Sequence, residues 1–348
     1  MVRISSLIPV LLLRRKVTFF VLYFAQMKIH LKIDWFVPAL LGAITLGWLW
    51  PEGGIGTGPL SVKSLSGIGV SVIFLLYGFR LNFMTIIKSM SNWRLHLLIQ
   101  SATFLVFPII ALIGRYTIGN DGYLWQGIIF LSVMPSTVSS AAVLVSLANG
   151  NIPAALFNSS LSSIIGIILP PFMLGVLQGA DGGGFDPAQV FIKLFFQILL
   201  PIIIGVLLNP FVGKTAIKYK GFTRYFDQTV ILSIVYYSFA NSFYINQFKG
   251  LSLLDIIMLI AALMLIFIMV NGIIYYAAKK INLSAADITT ALFCGSTKSL
   301  VHGSTMGRLM YAGNPAVGVI ILPILVYHSL QLMMSSFMVE RLKRQTIA

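Results

Sequence analysis

Charged residues are scarce in this sequence. Only 9% of the 348 residues are charged, whereas a soluble protein has about 25%. In their place, 58% of the residues are hydrophobic and the mean hydropathy is +0.93. The scarcity of charge excludes an ordinary soluble domain, and the recurring apolar segments are of the length, about 20 residues, that crosses a bilayer as a helix. We expect an all-α polytopic membrane protein.

Cysteine and catalytic motifs are also lacking. The single Cys294 excludes an internal disulfide framework. There is no CxxC or HExxH pattern, no Walker loop, and no nucleophile–base pair or cluster of metal ligands. We therefore expect neither an enzyme nor an ATP-driven pump, with no cofactor and no metal centre, while coupling to sodium or protons stays open. The net charge is +15, and the basic residues that produce it lie between apolar spans. We therefore expect membrane lipid as a partner and no nucleic acid.

Ten apolar spans are predicted after Asp34. They cover roughly 35–50, 66–80, 94–114, 125–148, 153–177, 190–208, 228–246, 253–278, 288–310 and 316–339. A flexible composition marks the linker Gly179–Pro187, which leaves five spans on each side. The expected divisions are an extension at 1–33 outside the fold, a first five-helix repeat at 34–178, a linker at 179–189, a second five-helix repeat at 190–340 and a tail at 341–348.

Basic residues are concentrated in every second connection. They lie before span 1, between spans 2 and 3, between spans 6 and 7, after span 8 and after span 10. Cytoplasmic connections carry an excess of Lys and Arg. This pattern predicts that both termini and the loop Lys214–Arg224 are cytoplasmic and that the linker Gly179–Pro187 is outside.

Three short motifs recur in the same order in the two halves, at a nearly constant offset. They are Pro38–Gly42 with Pro201–Gly205, Ser136-Thr137 with Ser296-Thr297, and Gly150–Ala154 with Gly313–Ala316. Each half has an odd number of spans, so the two halves cross the membrane in opposite senses. The sequence therefore predicts an inverted repeat in which spans 4 and 9 are equivalent.

Spans 4 and 9 are both interrupted by residues that weaken a helix. Span 4 carries Pro135, Ser136 and Thr137, and proline removes a backbone hydrogen bond. Span 9 carries Gly295 and Ser296, followed by Thr297. Broken helices at equivalent positions of inverted repeats indicate the central site of a transporter. The alternative for span 4 alone is an ordinary proline kink.

Lys298 is a full charge in the middle of span 9. A lysine at the bilayer centre costs about 2.5–3.5 kcal/mol on insertion scales, so it indicates a functional site unless it snorkels to an interface. All nine acidic residues fall in loops or at span ends. Three explanations remain open: the amine is sometimes neutral, carbonyls at the broken helix ends hold it, or a transported anion pairs with it.

His302 follows Lys298 by one helical turn and is expected to share its face. It is a candidate for a proton or substrate contact, and a hydrogen-bonded packing histidine is the alternative.

Several short motifs resemble the bile acid:sodium symporter family, over about residues 34 to 340. They are Leu95–Gln100, Met134-Pro135 with Val138–Ala141, Gly150-Asn151, Phe157–Ser159, Lys298–Leu300 and, more weakly, Tyr327-His328. The sequence is most similar to the divergent branch that includes the seventh human member and bacterial relatives. The resemblance implies ten helices in two domains. A panel domain of spans 1, 2, 6 and 7 would move against a core domain, in which spans 4 and 9 cross at their breaks.

The resemblance also implies where sodium would bind. The family's sodium sites map onto Gln100, Ser139, Ser140, Asn158, Ser159, Thr297, Lys298 and Ser299. Sodium-coupled members have a glutamate before the second break, where this chain has Phe293 or Cys294, and a Gln-Asn pair in place of Thr297-Lys298. A carboxylate is a natural ligand of a hard cation and a lysine is not, so sodium coupling does not follow from the resemblance.

These features together predict a secondary transporter of a small organic anion in a bacterial-type cytoplasmic (inner) membrane. The alternative is a non-transporting membrane sensor or regulator that binds a ligand in the same cavity. A sensor usually carries a soluble output domain, and the sequence shows none.

Overall fold

A computed structural model describes residues 35–80, 92–118, 122–178, 192–249 and 251–347. Every regular element in these ranges is helical, which confirms the expected class. The α-helices are α1 (Phe36–Leu49), α2 (Pro51–Ile55), α3 (Val62–Arg80), α4 (Trp93–Ser101), α5 (Phe107–Ile118), α6 (Tyr123–Val133), α7 (Ser139–Leu147), α8 (Ile152–Gln178), α9 (Leu200–Lys218), α10 (Lys220–Tyr244), α11 (Leu253–Lys280), α12 (Ala285–Ser296), α13 (Leu300–Met310) and α14 (Val317–Ile347). The extension at 1–33 and the linker at 179–189 lie outside the described residues.

Six of the described helical segments are long and apolar enough to cross a membrane. They are Val62–Phe79, Trp93–Ile118, Ile152–Leu177, Ile192–Gly213, Leu253–Lys280 and Val317–Leu342. Two of them contain a five-residue π-helical segment, Ala102–Val106 between α4 and α5 and Phe195–Leu199 before α9. The protein is therefore an integral membrane protein.

Asparagines end three of the helices. Asn149, Asn246 and Asn282 each lie two residues beyond the end of α7, α10 and α11 and adopt φ values of 56°, 58° and 57°. This left-handed conformation terminates helices, and asparagine tolerates it better than most residues do. These turns bring the chain back into the bundle after each of the three helices.

Two helices extend beyond the predicted ends of their spans. The expected loop Lys214–Arg224 is almost entirely helical, since α9 continues to Lys218 and α10 begins at Lys220. The expected tail at 341–348 continues α14 as far as Ile347. Lys and Arg are good helix formers, so basic residues at the end of an apolar span extend the helix beyond it.

The helices form two packing groups. The panel group consists of α1, α2, α3, α9 and α10, and the core group contains the rest. Within the panel group α3 and α9 cross closely at two glycines that a larger residue could not replace. A Cβ on Gly78 would lie 2.5 Å from the carbonyl oxygen of Ile202, and one on Gly205 would lie 2.4 Å from that of Leu75. Helices α13 and α14 of the core group pack against α10 of the panel group.

Polar contacts join connections that are distant in sequence at one end of the bundle. The Asp287 carboxylate, in the first turn of α12, accepts hydrogen bonds from Asn92 Nδ2 at 3.0 Å and from Asn151 Nδ2 at 2.9 Å. Asn92 is the N-cap of α4, and Asn151 lies between α7 and α8. The starts of α4, α8 and α12 therefore share one end.

A second set of contacts joins other connections. The Arg308 guanidinium, in the last turn of α13, donates to Ser66 Oγ at 2.9 Å and to the Lys63 carbonyl at 2.6 Å. Ser242 Oγ, near the end of α10, donates to the Pro315 carbonyl at 3.1 Å. The start of α3, the ends of α10 and α13, and the start of α14 therefore lie together.

Candidate functional site

The first helix break separates α6 from α7. Met134 to Val138 have no helical hydrogen-bond pattern, and Pro135 stands at the second of these positions. The Ser136 amide is satisfied from another helix, since it donates to Ser162 Oγ of α8 at 2.9 Å. A Cβ on Gly166 would lie 2.4 Å from the Pro135 ring. Glycine in α8 thus allows the break to be buried against that helix.

The second break separates α12 from α13. It comprises Thr297, Lys298 and Ser299, while the predicted break residues Gly295 and Ser296 complete the last turn of α12. Ser296 Oγ donates to the Leu292 carbonyl in its own helix, at 2.6 Å. The helix therefore continues through the glycine. Gly295 instead packs closely against α11, since a Cβ there would lie 2.8 Å from Ile274 Cδ1 and would displace that side chain.

Side chains of α14 satisfy the backbone of the second break. The Gln331 amide accepts from the Lys298 N–H at 2.7 Å and donates to the Lys298 carbonyl at 2.9 Å. The Tyr327 hydroxyl donates to the Ser296 carbonyl at 2.7 Å. Sequence reasoning missed Gln331 and gave Tyr327 only a weak place in the resemblance. A glutamine inside an otherwise apolar span was the available signal.

The two breaks contact each other directly. Ser136 Oγ lies 3.1 Å from Thr297 Oγ1 although 161 residues separate them. The Ser299 N–H donates to the Pro135 carbonyl at 2.8 Å. All of these residues are buried. The two segments that the predicted repeat aligns are therefore in contact.

Lys298 links the second break to the first. Its ammonium donates to three backbone carbonyls, those of Thr103 at 2.8 Å, Ser132 at 2.6 Å and Met134 at 2.8 Å. The same Nζ lies 4.0 Å from the centre of the Phe107 ring, within cation–π distance. The side chain is 0% exposed. Lys298 therefore does not snorkel, and all three ammonium hydrogens have acceptors.

The surroundings of Lys298 are electrostatically suited to a cation. The carbonyls of Ser132 and Met134 lie at the C-terminal end of α6, where the helix dipole is negative. Carbonyl oxygens and a ring face replace the carboxylate that the buried charge would otherwise require. Of the three explanations considered for this lysine, the geometry matches the one in which carbonyls at a broken helix hold it.

Gln100, Asn158 and His96 form a second buried polar group, beside α8. Gln100 Nε2 donates to the Asn158 carbonyl and side-chain oxygens, at 3.1 and 3.3 Å. Asn158 Nδ2 lies 2.9 Å from His96 Nδ1. Gln100 Oε1 is buried and has no hydrogen-bond partner. Two of the predicted cation-site residues are therefore in contact, and one acceptor oxygen remains open.

Two other predicted cation-site residues contact side chains outside the Gln100–Asn158 group. Ser159 Oγ lies 4.0 Å from the thiol of Cys294, one of the two residues, Phe293 and Cys294, that stand where the resemblance implies a glutamate. Ser140 Oγ donates to Thr137 Oγ1 at 3.1 Å. Ser139 begins α7, and its side chain lies outside the described part of the structure. Among the described residues, no three His, Cys, Asp or Glu side chains are grouped as metal ligands.

His302 does not share a face with Lys298, contrary to expectation. Lys298 lies in the extended break, so the one-turn spacing of a helix does not apply between them. The His302 ring instead packs edge-on against Phe74 of α3, with ring centres 5.2 Å apart, and its Nδ1 lies 2.9 Å from Ser299 Oγ. His302 therefore faces the panel group, while Lys298 faces into the core group.

Comparisons with known proteins agree with this architecture. The model of the SBF-like CPA transporter family matches residues 34–344. "Putative symporter YfeH" of Escherichia coli (strain K12) is 32% identical over 325 residues, which cover 92% of this chain and 96% of the relative. "Uncharacterized protein PA2026" of Pseudomonas aeruginosa is 32% identical over 314 residues, covering 90% and 93%.

An animal relative is also similar over most of its length. "Sodium/bile acid cotransporter 7" of Danio rerio is 29% identical over 319 residues, which cover 89% of this chain and 94% of the relative. The resemblance to the bile acid:sodium symporter type is thereby confirmed, and this chain belongs to the SBF-like CPA transporter family.

Proposed function

We propose that the protein is a secondary active transporter that moves an organic anion by alternating access and uses Lys298 as a built-in cation. One observation carries the proposal. The buried ammonium of Lys298 joins the second break to the carbonyl end of α6, at the crossing of two interrupted helices. Sites of this kind, with half-helix ends pointing at a charge, are typical of secondary transporters.

The lengths of the interrupted helices support a ten-span topology. Helices α6 and α7 have 11 and 9 residues, and α12 and α13 have 12 and 11. At 1.5 Å per residue each pair reaches about 30 Å or slightly more, which is the thickness of the hydrocarbon core. None of these four helices is long enough to cross the membrane by itself, so each pair would cross together as one broken span.

The contacts at the two ends of the bundle support the same topology. Asp287 gathers the starts of α4, α8 and α12, and Arg308 joins the end of α13 to the start of α3. A chain of ten spans that alternates in direction would put each of these groups on a single side. With the basic connections in the cytoplasm, the Asp287 end is the cytoplasmic one and both termini are cytoplasmic.

The division into panel and core groups supports alternating access. Both breaks lie within the core group, and α10 of the panel group packs against α13 and α14. Helix α3 contacts α13 through Ser66 and Phe74. Small relative movements of two such groups open a central site to one side and then to the other. The first repeat (34–178) and the second (190–340) each contribute helices to both groups, as an inverted repeat would.

Lys298 would replace a transported cation in this mechanism. A sodium ion is held by oxygen ligands, and three carbonyl oxygens already surround the ammonium. The charge is covalently attached and cannot be released to drive uphill uptake. The thiol of Cys294 near Ser159 is a poor ligand for sodium compared with a carboxylate. We therefore expect transport without a sodium requirement, with coupling to protons or exchange remaining as alternatives.

Uptake into proteoliposomes tests the function. The purified protein would be reconstituted, and accumulation of labelled taurocholate and of smaller carboxylates and sulfonates would be followed with and without sodium and pH gradients. Uptake of at least one anion that does not depend on sodium is the expected result. Strictly sodium-dependent uptake would contradict the built-in cation, and binding without any uptake would favour the sensor.

A labelling experiment tests the topology. Lys280 and Ala312 are exposed, and the α12–α13 pair lies between them. In a Cys294→Ala background, Lys280→Cys and Ala312→Cys should react with a membrane-impermeant thiol reagent from opposite sides of the inner membrane, Lys280→Cys from the cytoplasm. Reaction of both from one side would show that α12 and α13 do not cross together.

A further inference from the structure

Helix α13 carries a polar stripe on the face that meets α3. His302, Thr305 and Arg308 follow one another at three-residue spacing, which places them along one side of the helix. The His302 ring packs on Phe74, and Arg308 bonds to Ser66 and Lys63, all of α3. The opposite side of α13 is occupied by Gly303 and Gly307, which pack on α14. The stripe therefore lies at the interface of the core and panel groups.

Two members of the stripe have buried polar atoms without a partner. His302 is 4% exposed and Thr305 is 1% exposed. Within the part of the chain that the structure describes, neither His302 Nε2 nor Thr305 Oγ1 has a hydrogen-bond partner. Buried polar atoms in folded proteins are nearly always paired, and an unpaired one requires an explanation. Two such atoms on adjacent turns of one helix point to a binding site for a polar group.

The third member is a cation held only by neutral groups. Arg308 donates to the Ser66 hydroxyl and to the Lys63 carbonyl. A guanidinium forms its strongest hydrogen bonds with carboxylates and similar planar or multidentate oxyanions. Its present partners both belong to α3. If α3 moves away from α13, Arg308 loses both at once and becomes available to an anion.

The members of the stripe can all donate hydrogen bonds. The His302 backbone N–H donates to Ser299 Oγ at 3.3 Å, and the same oxygen lies 2.9 Å from His302 Nδ1. When the Ser299 hydroxyl donates to Nδ1, the neutral ring carries its proton on Nε2 and can donate it to a ligand. A guanidinium, a hydroxyl and an imidazole N–H together complement a group that only accepts hydrogen bonds.

We propose that the His302–Thr305–Arg308 stripe recognises the oxyanion head group, a carboxylate or sulfonate, of the transported anion, and that Arg308 makes the first contact. The inference rests on the proposed function and deepens it. Lys298 is unsuited to this task because its three hydrogens are already donated to carbonyls. The stripe rises about 9 Å along α13, so a head group contacts two neighbouring members at a time. In the structure, Ser66 and Lys63 of α3 accept the Arg308 hydrogen bonds that the anion would accept.

Charge-selective thiol labelling tests the proposal without a known substrate. In a Cys294→Ala background, Thr305→Cys would be treated with an anionic and a cationic methanethiosulfonate of similar size, applied to right-side-out vesicles. Rates would be normalised to those of Ala312→Cys, an exposed position beyond the end of α13. The expected result is a preference of about tenfold for the anionic reagent, since a fixed charge in a cleft concentrates its counter-ion.

Variants of Arg308 identify the source of the preference. Arg308→Gln should remove it, and Arg308→Lys should retain most of it. Equal normalised rates for the two reagents, no reaction with either, or a preference that persists in Arg308→Gln would each overturn the proposal. Sodium-independent uptake by the unmodified protein together with equal rates would reject the stripe and leave the transporter function intact. A clear preference for the anionic reagent without any uptake would support the stripe and reject the transporter function.

Discussion

In the first interrupted helix, Pro135 has no N–H to donate, and the carbonyls exposed beside it are taken by groups of the second break. Lys298 bonds to the Ser132 and Met134 carbonyls, and the Ser299 N–H bonds to that of Pro135. The second break contains no proline. Its backbone is held open by side chains of α14, those of Gln331 and Tyr327.

The two breaks have different causes, and they therefore depend differently on the rest of the structure. The first break follows from covalent chemistry, because proline interrupts a helix wherever it stands inside one. The second break exists because α14 supplies the hydrogen bonds that a continuous helix would have made. Lys298 extends from the second break into the first, so loss of the α14 contacts should disturb both breaks. Removal of the side-chain contact between Ser136 and Thr297 should disturb neither greatly.

Removal of the charge should have the largest effect. In Lys298→Met a side chain of similar length remains, but three buried carbonyls lose their donor. We expect uptake to be lost and the free energy of unfolding to fall by roughly 3 kcal/mol or more, since each unsatisfied buried group costs about 1–3 kcal/mol. Denaturant titration in micelles and proteoliposome uptake measure the two effects.

The matched control for this substitution is Lys279→Met. Lys279 is exposed at the end of α11 and contacts only the Tyr275 ring among the described groups. The control should change stability by less than about 0.5 kcal/mol, as surface substitutions usually do. If the two variants behave alike, the three carbonyl contacts do not stabilise the crossing.

Loss of the α14 support should have the next largest effect. Gln331→Leu removes both hydrogen bonds to the backbone of Lys298 without a large change in volume. A loss of about 2 kcal/mol is expected, because a buried N–H and a buried carbonyl are left unpaired. Ser336→Ala, on the exposed side of the same helix, is the control, since its hydroxyl bonds only to the Leu332 carbonyl of α14. A loss no greater than that of the control would mean that the second break is stable by itself.

A change of cation should have a smaller effect. Lys298→Arg keeps the charge, but a planar guanidinium cannot direct its hydrogens to three carbonyls that surround a single point. Uptake should fall about tenfold, which corresponds to about 1.4 kcal/mol. Lys298→Asn, which restores the residue that the family resemblance implies, should not create a sodium requirement, since Phe293 and Cys294 leave the site without the glutamate of sodium-coupled members. A sodium-dependent Lys298→Asn variant would show that the lysine alone had removed the cation site.

The sequence was sufficient to predict the parts of this site that stand out from an apolar background. Pro135 and Lys298 are unusual in a membrane span, and the predicted repeat aligns Ser136-Thr137 with Ser296-Thr297, two segments that the structure brings into contact through Ser136 and Thr297. The partners of the breaks were not predictable in the same way. Gln331 and Tyr327 are two of several polar residues in a long helix, and their pairing with the second break depends on how α14 packs.

The limits of the second break were misplaced for a related reason. Gly295 weakens an isolated helix, but tertiary packing against Ile274 and the hydrogen bond from Ser296 to Leu292 keep α12 helical through it. The prediction that Lys298 and His302 share a face was wrong because it assumed an unbroken helix between them. Local helix propensity therefore predicts where the helix is interrupted, and tertiary packing determines how many residues the interruption contains.

The contact between the breaks should have the smallest effect, and a double-mutant cycle can isolate it. Thr297 Oγ1 donates its hydrogen to the Phe293 carbonyl at 2.8 Å, so Ser136 must be the donor in the 3.1 Å contact with Thr297. In Ser136→Ala combined with Thr297→Val, the loss of the Phe293 bond appears on both sides of the cycle and cancels. The remaining coupling energy should be about 1 kcal/mol, the net value of one buried hydrogen bond. Thr45→Val is the control partner, because Thr45 of α1 bonds within its own helix, and its coupling to Ser136→Ala should be near zero. Additive effects of Ser136→Ala and Thr297→Val would show that this side-chain contact adds no stability, and that the breaks are joined by Lys298 and by the Ser299–Pro135 hydrogen bond.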